Sequence, residues 1–256
     1  AFLDRRKPGQ SAISTPRKEA DAVQILSGVF EGKTTGTPIA LLVPNTSQRS
    51  SDYSQIANCY RPGHADYTYD TKYGFRDYRG GGRSSGRETI GRVAAGAVAC
   101  KILESLGIQV MAYTKSIGPV SIPEQDYDYS VIADNTLYMP NNKYAERASV
   151  YLKECIRSQD SSGGIIECRV DHMPAGIGET VFEKLDANLA KAIMSIGAVK
   201  GFEIGDGFQA AKAFGSQNND AYASNADGIY KETNHSGGVL GGMSDGSTII
   251  LRAAIK

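Results

Sequence analysis

The sequence has few histidines, few cysteines and no long apolar stretch. Its 256 residues include three histidines and four cysteines, and 28 lysines and arginines balance 28 aspartates and glutamates. Because no apolar run approaches about 18 residues, the sequence predicts no membrane span. A net charge of zero argues against nucleic-acid binding driven by bulk charge. With 41% hydrophobic and 22% charged residues, the composition is that of a folded soluble protein and excludes a disordered chain, a fibre and a coiled coil.

The four cysteines are scattered and form no CxxC pair. This spacing argues against a disulfide framework and against a structural zinc site. The three histidines show no HxxH or HExxH spacing, so no metal site is expected. The sequence therefore predicts buried, reduced thiols in a cytoplasmic protein.

Both ends of the sequence resemble the interior of a longer protein. The first residue is an alanine, and the last eight residues are mostly apolar and carry no polar tail. No repeat, low-complexity tract or long linker divides the chain. We therefore expect residues 1–256 to form a single domain that is truncated at both ends.

Charge is distributed unevenly along the chain. The first 100 residues carry 14 basic and 9 acidic residues, whereas the other 156 carry 14 basic and 19 acidic ones. The excess positive charge lies in Arg5-Arg6-Lys7 and in the stretch from Arg76 to Arg92. Such blocks predict a basic site for a small anion on an otherwise balanced surface.

Hydrophobic periodicity predicts an α+β fold. Residues 23–30 and 38–43 are mainly apolar and rich in β-branched side chains, and residues 31–36 between them favour a hairpin. Apolar residues recur at helical spacing from Ile90 to Leu103. The other predicted elements are helices at 142–158 and 186–196, and strands at 108–113, 164–170 and 248–253.

The predicted helix at residues 90–103 has recognisable start and stop signals. Ser85 is followed three residues later by Glu88, which is the pattern of a capping box. Gly107 fits the position at which a helix ends. The sequence therefore predicts a capped helix that follows directly on the basic, glycine-rich stretch.

The segment Arg61-Pro62-Gly63-His64-Ala65-Asp66 contains a candidate proton-transfer residue. A histidine beside Pro-Gly lies on a constrained loop, and its unperturbed pKa of about 6.5 lets it exchange a proton near neutral pH. The alternative is a histidine that only hydrogen-bonds a neighbour.

A second candidate site is Arg76-Asp77-Tyr78-Arg79-Gly80-Gly81-Gly82-Arg83-Ser84-Ser85-Gly86-Arg87-Glu88-Thr89. Three glycines let backbone N–H groups approach a ligand, and the helix that follows favours an anion at its N-terminus. The arginines supply forked donors that suit phosphate and carboxylate. The alternative is a flexible loop that leads into a helix with a solvated charged face. The spacing is not that of a nucleoside-triphosphate loop.

A third glycine-rich segment runs from Asn234 to Gly242. Its two glycine pairs fit a backbone that passes closely over a flat ligand. Sharp turns at strand ends explain the same pattern equally well. These residues alone predict an anion pocket and a nearby histidine, and they name no reaction.

Taken together, these segments resemble the chorismate synthase family. The resemblance covers essentially the whole chain, with the motifs in the family's order. The segments that carry it are Asp4-Arg5-Arg6-Lys7-Pro8-Gly9-Gln10, Arg61-Pro62-Gly63-His64-Ala65-Asp66, Tyr78-Arg79-Gly80-Gly81-Gly82-Arg83-Ser84-Ser85, residues 192–201, Glu203-Ile204-Gly205-Asp206-Gly207, and residues 234–242.

The resemblance implies a β-α-β sandwich of the chorismate synthase type, assembled as a cytoplasmic homotetramer that binds neither nucleic acid nor a membrane. The implied activity is a carbon–oxygen lyase of the shikimate pathway and aromatic amino acid biosynthesis. It converts 5-enolpyruvylshikimate 3-phosphate to chorismate and phosphate by 1,4-anti elimination and requires reduced FMN. Some relatives reduce this flavin with NADPH. The alternatives are a truncated, non-catalytic paralogue that binds phosphate or flavin, and a flavoprotein that carries out redox chemistry.

The resemblance also implies roles for individual residues. His64 corresponds to a catalytic histidine that protonates the reduced flavin or holds its charge. Arg6 corresponds to an arginine that binds NADP or substrate, and Arg87 is a candidate for a substrate anion. The family's second catalytic histidine and the rest of a flavin segment are expected outside residues 1–256. The implied FMN contacts are Arg83, Ser84, Ser85, Gly197, Ala198, Gly241 and Lys256.

Overall fold

The structure is a computed structural model of the chain. It describes residues 2–11, 13–15, 19–46, 53, 56–226 and 228–256. The chain divides into two compact units, Ala1–Ala99 and Cys100–Lys256. Among the described residues, no helix has the length and apolar character needed to cross a membrane. The expectation of a single domain stays a prediction.

The first unit contains an antiparallel hairpin built from four two-residue strands. Strand β1 (Gln24–Ile25) pairs with β4 (Leu41–Leu42), and β2 (Val29–Phe30) pairs with β3 (Lys33–Thr34). The two residues of the tip, Glu31 and Gly32, have φ of 47° and 76°, as a type I′ turn requires. The predicted hairpin is therefore confirmed, although its turn is shorter than the six residues expected.

Helix α1 (Asp66–Tyr73) lies in the first unit and was missed by the sequence analysis. Its sequence is polar and shows no apolar stripe, so periodicity gave no signal. It ends at Gly74, whose φ of 77° and N–H bond to the carbonyl of Asp70 complete a left-handed cap.

Helix α2 (Thr89–Ser105) begins in the first unit and continues into the second. A short 3-10 turn, Gly86–Glu88, precedes it, and Ser85 caps this turn by accepting a hydrogen bond from the N–H of Arg87. The carboxylate of Glu88 is bonded to Arg92 instead of reaching back, and the N–H of Ser85 donates to Gly82. Only half of the predicted capping box therefore forms.

The end of α2 is as predicted. Gly107 has a φ of 79°, and its N–H donates to the carbonyl of Glu104. The N–H of Ile108 donates to the carbonyl of Leu103, which completes a Schellman motif.

The second unit is built on a five-stranded antiparallel sheet. Its strands are β5 (Gln109–Ile117), β6 (Val120–Ser121), β7 (Gly164–Asp171), β8 (Val199–Ile204) and β13 (Ile249–Ile255). They lie in the order β6-β5-β7-β13-β8. The predicted strands at 108–113, 164–170 and 248–253 are confirmed as its central members, whereas β8 was missed.

Helices and small hairpins complete the second unit. The predicted helices at 142–158 and 186–196 are confirmed as α3 (Asn142–Arg157) and α4 (Leu185–Met194), and α5 (Gly215–Asn218) is a single turn. Asn141 caps α3 by accepting hydrogen bonds from the N–H groups of Lys143 and Tyr144. The hairpins pair β9 (Tyr222–Asn225) with β10 (Gly228–Lys231) and β11 (Val239–Leu240) with β12 (Met243–Ser244).

Two apolar clusters stabilise the second unit. In the first, sheet residues Val170 and Ile249 pack against Leu185 and Leu189 of α4. The second joins Val120 and Ile122 to one side of α3, and its other buried members are Met139, Ala145 and Ala148. Helices thus pack on an antiparallel sheet, which confirms the α+β class.

The face of the sheet opposite α4 carries a polar row that is mostly buried. Strand register places Tyr113, Glu167 and Arg252 directly opposite one another on β5, β7 and β13. The Glu167 carboxylate accepts hydrogen bonds from Tyr113, Lys115 and Arg252. Burial tends to raise the pKa of Glu167, but these partners hold it below its usual value.

All four cysteines are free. Cys59 is exposed, because it lies on the loop before α1 and not on an apolar face, so the prediction of buried thiols is wrong at this position. The other three cysteines are half-buried.

Candidate functional site

His64 lies on the turn that leads into α1. The N–H of His64 donates to the carbonyl of Arg61, and Gly63 supplies a φ of 70° within this turn. The imidazole Nδ1 lies 2.9 Å from Oδ1 of Asp66 and 3.1 Å from Nη2 of Arg61. The side chain is 25% exposed, and within the described part of the chain Nε2 has no hydrogen-bond partner. One edge of the ring is therefore fixed and the other is accessible.

Asp66 is the buried charge beside His64. Its side chain is 3% exposed and is held by Arg61, whose Nε and Nη2 each lie 2.8 Å from a different carboxylate oxygen. The backbone N–H of Arg61 adds a third hydrogen bond at 3.0 Å. These bonds hold the pKa of Asp66 well below its usual value, so the carboxylate is ionised at neutral pH.

Sequence reasoning selected His64 but assigned no role to Asp66 or Arg61. The signal was present, because all three residues lie within the six-residue segment from 61 to 66. Proximity in sequence does not show which side chains meet, since that depends on the turn at Pro62-Gly63.

The triple-glycine segment forms a tight turn against His64. Gly81 is buried with a φ of 82°, and a Cβ at this position would lie 2.8 Å from Oγ of Ser84 and 3.6 Å from Cε1 of His64. The Ser84 hydroxyl donates to the carbonyl of Gly81 at 2.6 Å. The positive φ favours glycine at this position, and the turn places Oγ of Ser84 and Cε1 of His64 close to Gly81.

The three predicted flavin contacts in this loop offer different groups to a ligand. Arg83 is exposed, and its guanidinium makes no hydrogen bond or ion pair to any residue that the structure describes. Ser85 accepts from the N–H of Arg87 and keeps its own hydroxyl proton available to donate. The proton of Ser84 is already bonded to Gly81. Arg83 and Ser85 are therefore the better donors for an anion.

Arg87, the candidate for a substrate anion, is paired within the first unit. Its Nη2 lies 2.7 Å from Oδ1 of Asp21 and 3.2 Å from Oε2 of Glu19, and its side chain is 19% exposed. It also donates to the carbonyl of Pro44. An incoming anion would have to compete with two carboxylates, and the assignment of Arg87 to substrate stays a prediction.

Arg6 lines a small pocket of about 70 Å³ in the first unit. Its guanidinium lies 3.7 Å from the ring centre of Phe2 and donates to the carbonyl of Phe2. Lys7 and Asp21 also line the pocket, together with the first turns of α2. The pocket has room for a few water molecules, and the role of Arg6 in binding NADP or substrate stays a prediction.

The second unit brings together Ala198 and Lys256. The carbonyl of Ala198 accepts a hydrogen bond from the N–H of Lys256 at 3.1 Å, next to the β8–β13 pairing. The Lys256 ammonium donates to the carbonyl of Ser161 at 2.8 Å. Gly197 is exposed, and a Cβ there would meet nothing within 4 Å. The predicted flavin residues at 197, 198 and 256 thus lie together at the end of the sheet where β8 begins and β13 ends.

Gly241 lies at the tip of the β11–β12 hairpin. Gly241 and Gly242 have φ of 61° and 90°. A Cβ at Gly242 would lie 2.5 Å from Cγ of Lys184 and 2.7 Å from the carbonyl oxygen of Glu179, whereas one at Gly241 would meet nothing within 4 Å. The turn accounts for the positive φ of both glycines. Packing gives a second reason for glycine only at Gly242, whereas Gly241 leaves open space beside the backbone.

The segment that carries Gly241 is anchored by a buried lysine. The side chain of Lys231 is 1% exposed, and its ammonium lies 2.7 Å from Asp245 and 3.1 Å from Asp220. It also donates to Ser236 at 2.6 Å and to Asn234 at 3.1 Å. Burial tends to raise the pKa of Asp220, but the N–H of Ser236 and the other donors hold it well below its usual value.

Comparison with known proteins identifies the family. The family model described as "Chorismate synthase" matches residues 1–256. The chain belongs to the chorismate synthase family. It is 67% identical over 255 residues to the chorismate synthase of Agathobacter rectalis and 65% identical over 256 residues to that of Lachnoclostridium phytofermentans. Each alignment covers all of this chain and 70% of the relative.

A solved structure described as "Crystal Structure of Chorismate Synthase" has the same fold. It matches with a TM-score of 0.79 at 34% identity, covering 92% of this chain and 71% of that one. The fold predicted from the resemblance is therefore confirmed as the chorismate synthase type. Membership of this family supports a lyase of aromatic biosynthesis that acts on a small-molecule substrate.

Proposed function

We propose that the protein converts 5-enolpyruvylshikimate 3-phosphate to chorismate and phosphate by 1,4-anti elimination with reduced FMN. The observation that carries the proposal is 67% identity to a chorismate synthase across the whole chain. We further propose a cytoplasmic homotetramer, with NADPH as a reductant of the flavin. The chain spans about 70% of the length of the relatives it matches.

The donor set of the first unit fits a ligand that bears phosphate. Arg83 offers an exposed guanidinium without an internal partner among the described residues, and Ser85 offers a hydroxyl proton. Gly81 lets the backbone turn closely without a side chain in the way. Reduced FMN held by Arg83 and Ser85 would supply transient electron density to the elimination. Arg83 would stabilise the negative charge of a phosphate at the loop.

His64 is the proposed proton-transfer residue. Its Nε2 is accessible and unpaired within the described residues, so it holds or exchanges a proton at the ligand while Nδ1 stays fixed to Asp66. We expect His64→Ala to lower kcat by about 10²–10⁴-fold with little change in substrate affinity, since a positioned acid or base contributes this much. His172→Asn is the matched control, because His172 is exposed, has a φ of 62° that Asn tolerates and belongs to no proposed site. Unchanged turnover in His64→Ala would remove His64 from the mechanism.

The activity is tested by an anaerobic assay with reduced FMN and 5-enolpyruvylshikimate 3-phosphate, in which chorismate and phosphate are followed separately. This chain and the product of the complete gene are assayed side by side, with oxidised FMN as the control. Equal release of both products, with flavin that stays reduced afterwards, supports the elimination.

The two alternatives give different results in the same assay. If the protein is a truncated paralogue that only binds phosphate or flavin, neither form of it releases chorismate or phosphate, although FMN still binds. A redox flavoprotein leaves the flavin in a changed oxidation state after turnover. Either result would overturn the proposed function.

A further inference from the structure

We propose that Asp66, held by Arg61, is a positioning residue that keeps the imidazole proton of His64 on Nδ1 and leaves Nε2 free for proton exchange. The proposal rests on the proposed role of His64. It adds Asp66 and Arg61 to the site as residues that act through His64.

The hydrogen bonds around Asp66 decide which nitrogen of His64 carries the proton. A carboxylate has about four lone-pair directions. The backbone N–H and the Nε of Arg61 occupy those of Oδ2, and Nη2 of Arg61 occupies one of Oδ1. Nδ1 of His64, 2.9 Å from Oδ1, occupies the last one, which it does only as a donor.

The opposite tautomer fits this geometry poorly. If Nδ1 carried no proton, it would accept from Nη2 of Arg61 at 3.1 Å, but its lone pair would then face that of Oδ1 at 2.9 Å. Arg61 already binds both oxygens of the carboxylate at 2.8 Å, so it gains little from a further bond to the ring. The bond from Nδ1–H to the carboxylate is charge-assisted and is therefore the stronger one.

A second arginine restrains the same carboxylate from outside. Nε of Arg76 lies 3.7 Å from Oδ1 of Asp66. The guanidinium of Arg76 is fixed by Asp70 and by the carbonyls of three loop residues, which are Ile56, Ala57 and Cys59. Asp66 is thus buried, ionised and surrounded by fixed donors, so its orientation is set before any ligand binds.

The tautomer of His64 can be measured without any ligand or turnover. Nitrogen–proton correlation spectra of the full chain labelled with ¹⁵N-histidine distinguish protonated Nδ1 from protonated Nε2, and His64→Ala assigns the signal. In the wild-type protein, at a pH where the ring is neutral, we expect the proton on Nδ1. A proton on Nε2 in the wild-type protein would overturn the proposal, and this observation needs no variant that has to fold.

The variant Asp66→Asn tests whether Asp66 is the residue that keeps the proton of His64 on Nδ1. We expect the proton on Nδ1 to redistribute towards Nε2. In the form of the protein that is active in the elimination assay, we expect kcat to fall roughly 10²- to 10⁴-fold, as for other carboxylates that orient a catalytic histidine, while KM stays within about threefold. Asp134→Asn is the matched control, because it makes the same side-chain change at an exposed residue that belongs to no proposed site. We expect it to keep the wild-type tautomer and kcat. An Asp66→Asn protein that keeps the wild-type tautomer would refute the role of Asp66.

The kinetics and the spectra test the role of His64 and the role of Asp66 separately. If His64→Ala turns over normally, the proposed function of His64 fails, although the tautomer result stands. If His64→Ala is inactive and the wild-type ring carries its proton on Nε2, only the role of Asp66 fails.

Discussion

Replacing Lys231 by methionine should strongly destabilise the second unit. The lysine side chain is 1% exposed and lies between Asp220 and Asp245, whose side chains are 4% and 6% exposed. Methionine keeps most of the apolar stem but removes the charge and three donors. Both carboxylates would then be buried without a cation.

The size of the loss follows from the partners that remain. Removing one partner of a buried ion pair costs about 3–5 kcal/mol. One cation here serves two carboxylates, which favours the upper end of this range. Asp220 keeps hydrogen bonds from Thr233 and from the N–H groups of His235 and Ser236, which offset part of the loss. We therefore expect the free energy of unfolding to fall by about 3–5 kcal/mol, measured by urea denaturation and circular dichroism.

The pH dependence of the free energy of unfolding shows whether the penalty of Lys231→Met should grow or shrink on acidification. The pKa values of Asp220 and Asp245 lie below their usual values in the folded protein, although burial tends to raise both. Each carboxylate therefore contributes stability at neutral pH that is lost as the pH falls through its folded pKa. Without Lys231 these pKa values rise, so the penalty of the substitution should shrink from pH 7 towards roughly pH 4.

A second variant sharpens the test. Asp245→Asn removes one of the two carboxylates that Lys231 neutralises, so the double variant with Lys231→Met should recover part of the loss. A loss below about 1 kcal/mol, or a penalty that grows on acidification, would refute the reasoning that Lys231 is needed to neutralise buried charge.

Two further substitutions separate ligand binding from stability. Arg83→Ala should weaken FMN binding, measured by calorimetry, by about 1.5–3 kcal/mol. It should change the free energy of unfolding by no more than about 0.5 kcal/mol. If substrate affinity falls while FMN affinity is unchanged, Arg83 binds the substrate and not FMN. Gly242→Ala should lower the melting temperature more than Gly241→Ala, because both have positive φ but only Gly242 has protein atoms where a Cβ would lie. Equal effects would contradict this packing argument.

The elements with long periodic patterns were predictable, and the weakly patterned ones were not. The apolar run from Ile249 to Ile255, which is broken only by Arg252, gave strand β13 to within two residues. Helix α1 is polar throughout, and strand β8 carries Lys200 and Gly201 within its apolar pattern, so neither gave a period. The order of the strands in the sheet could not be predicted from local sequence, because the pairing of β13 with both β7 and β8 joins residues far apart in the chain.

For the site, sequence patterns located the loops but not the pairings within them. The pattern around His64 pointed to proton transfer, yet the carboxylate that fixes the ring depends on a turn geometry that no spacing rule specifies. The late glycines illustrate the same limit. Gly242 is required by the protein's own packing and Gly241 faces open space, although the two are adjacent and chemically identical.

The number of arginines between Arg76 and Arg92 overstates the positive charge that is available to bind a ligand. Arg87 is neutralised by Asp21 and Glu19, which lie more than 60 positions earlier in the chain, so the local sequence cannot show the pairing. Arg83, by contrast, is exposed and has no partner among the described residues. We infer that a phosphate at this loop depends mainly on Arg83.

Arg87→Ala decides between the two roles of that arginine. If Arg87 serves the fold, its loss leaves two carboxylates without their cation, and the free energy of unfolding should fall by about 3 kcal/mol while FMN affinity is unchanged. Asp21→Asn is the matched control, since it weakens the same ion pair from the acidic side and should also destabilise the protein. If Arg87→Ala instead weakens substrate binding at unchanged stability, the guanidinium is available to the substrate, as the sequence predicted, and the ion pairs with Glu19 and Asp21 contribute little.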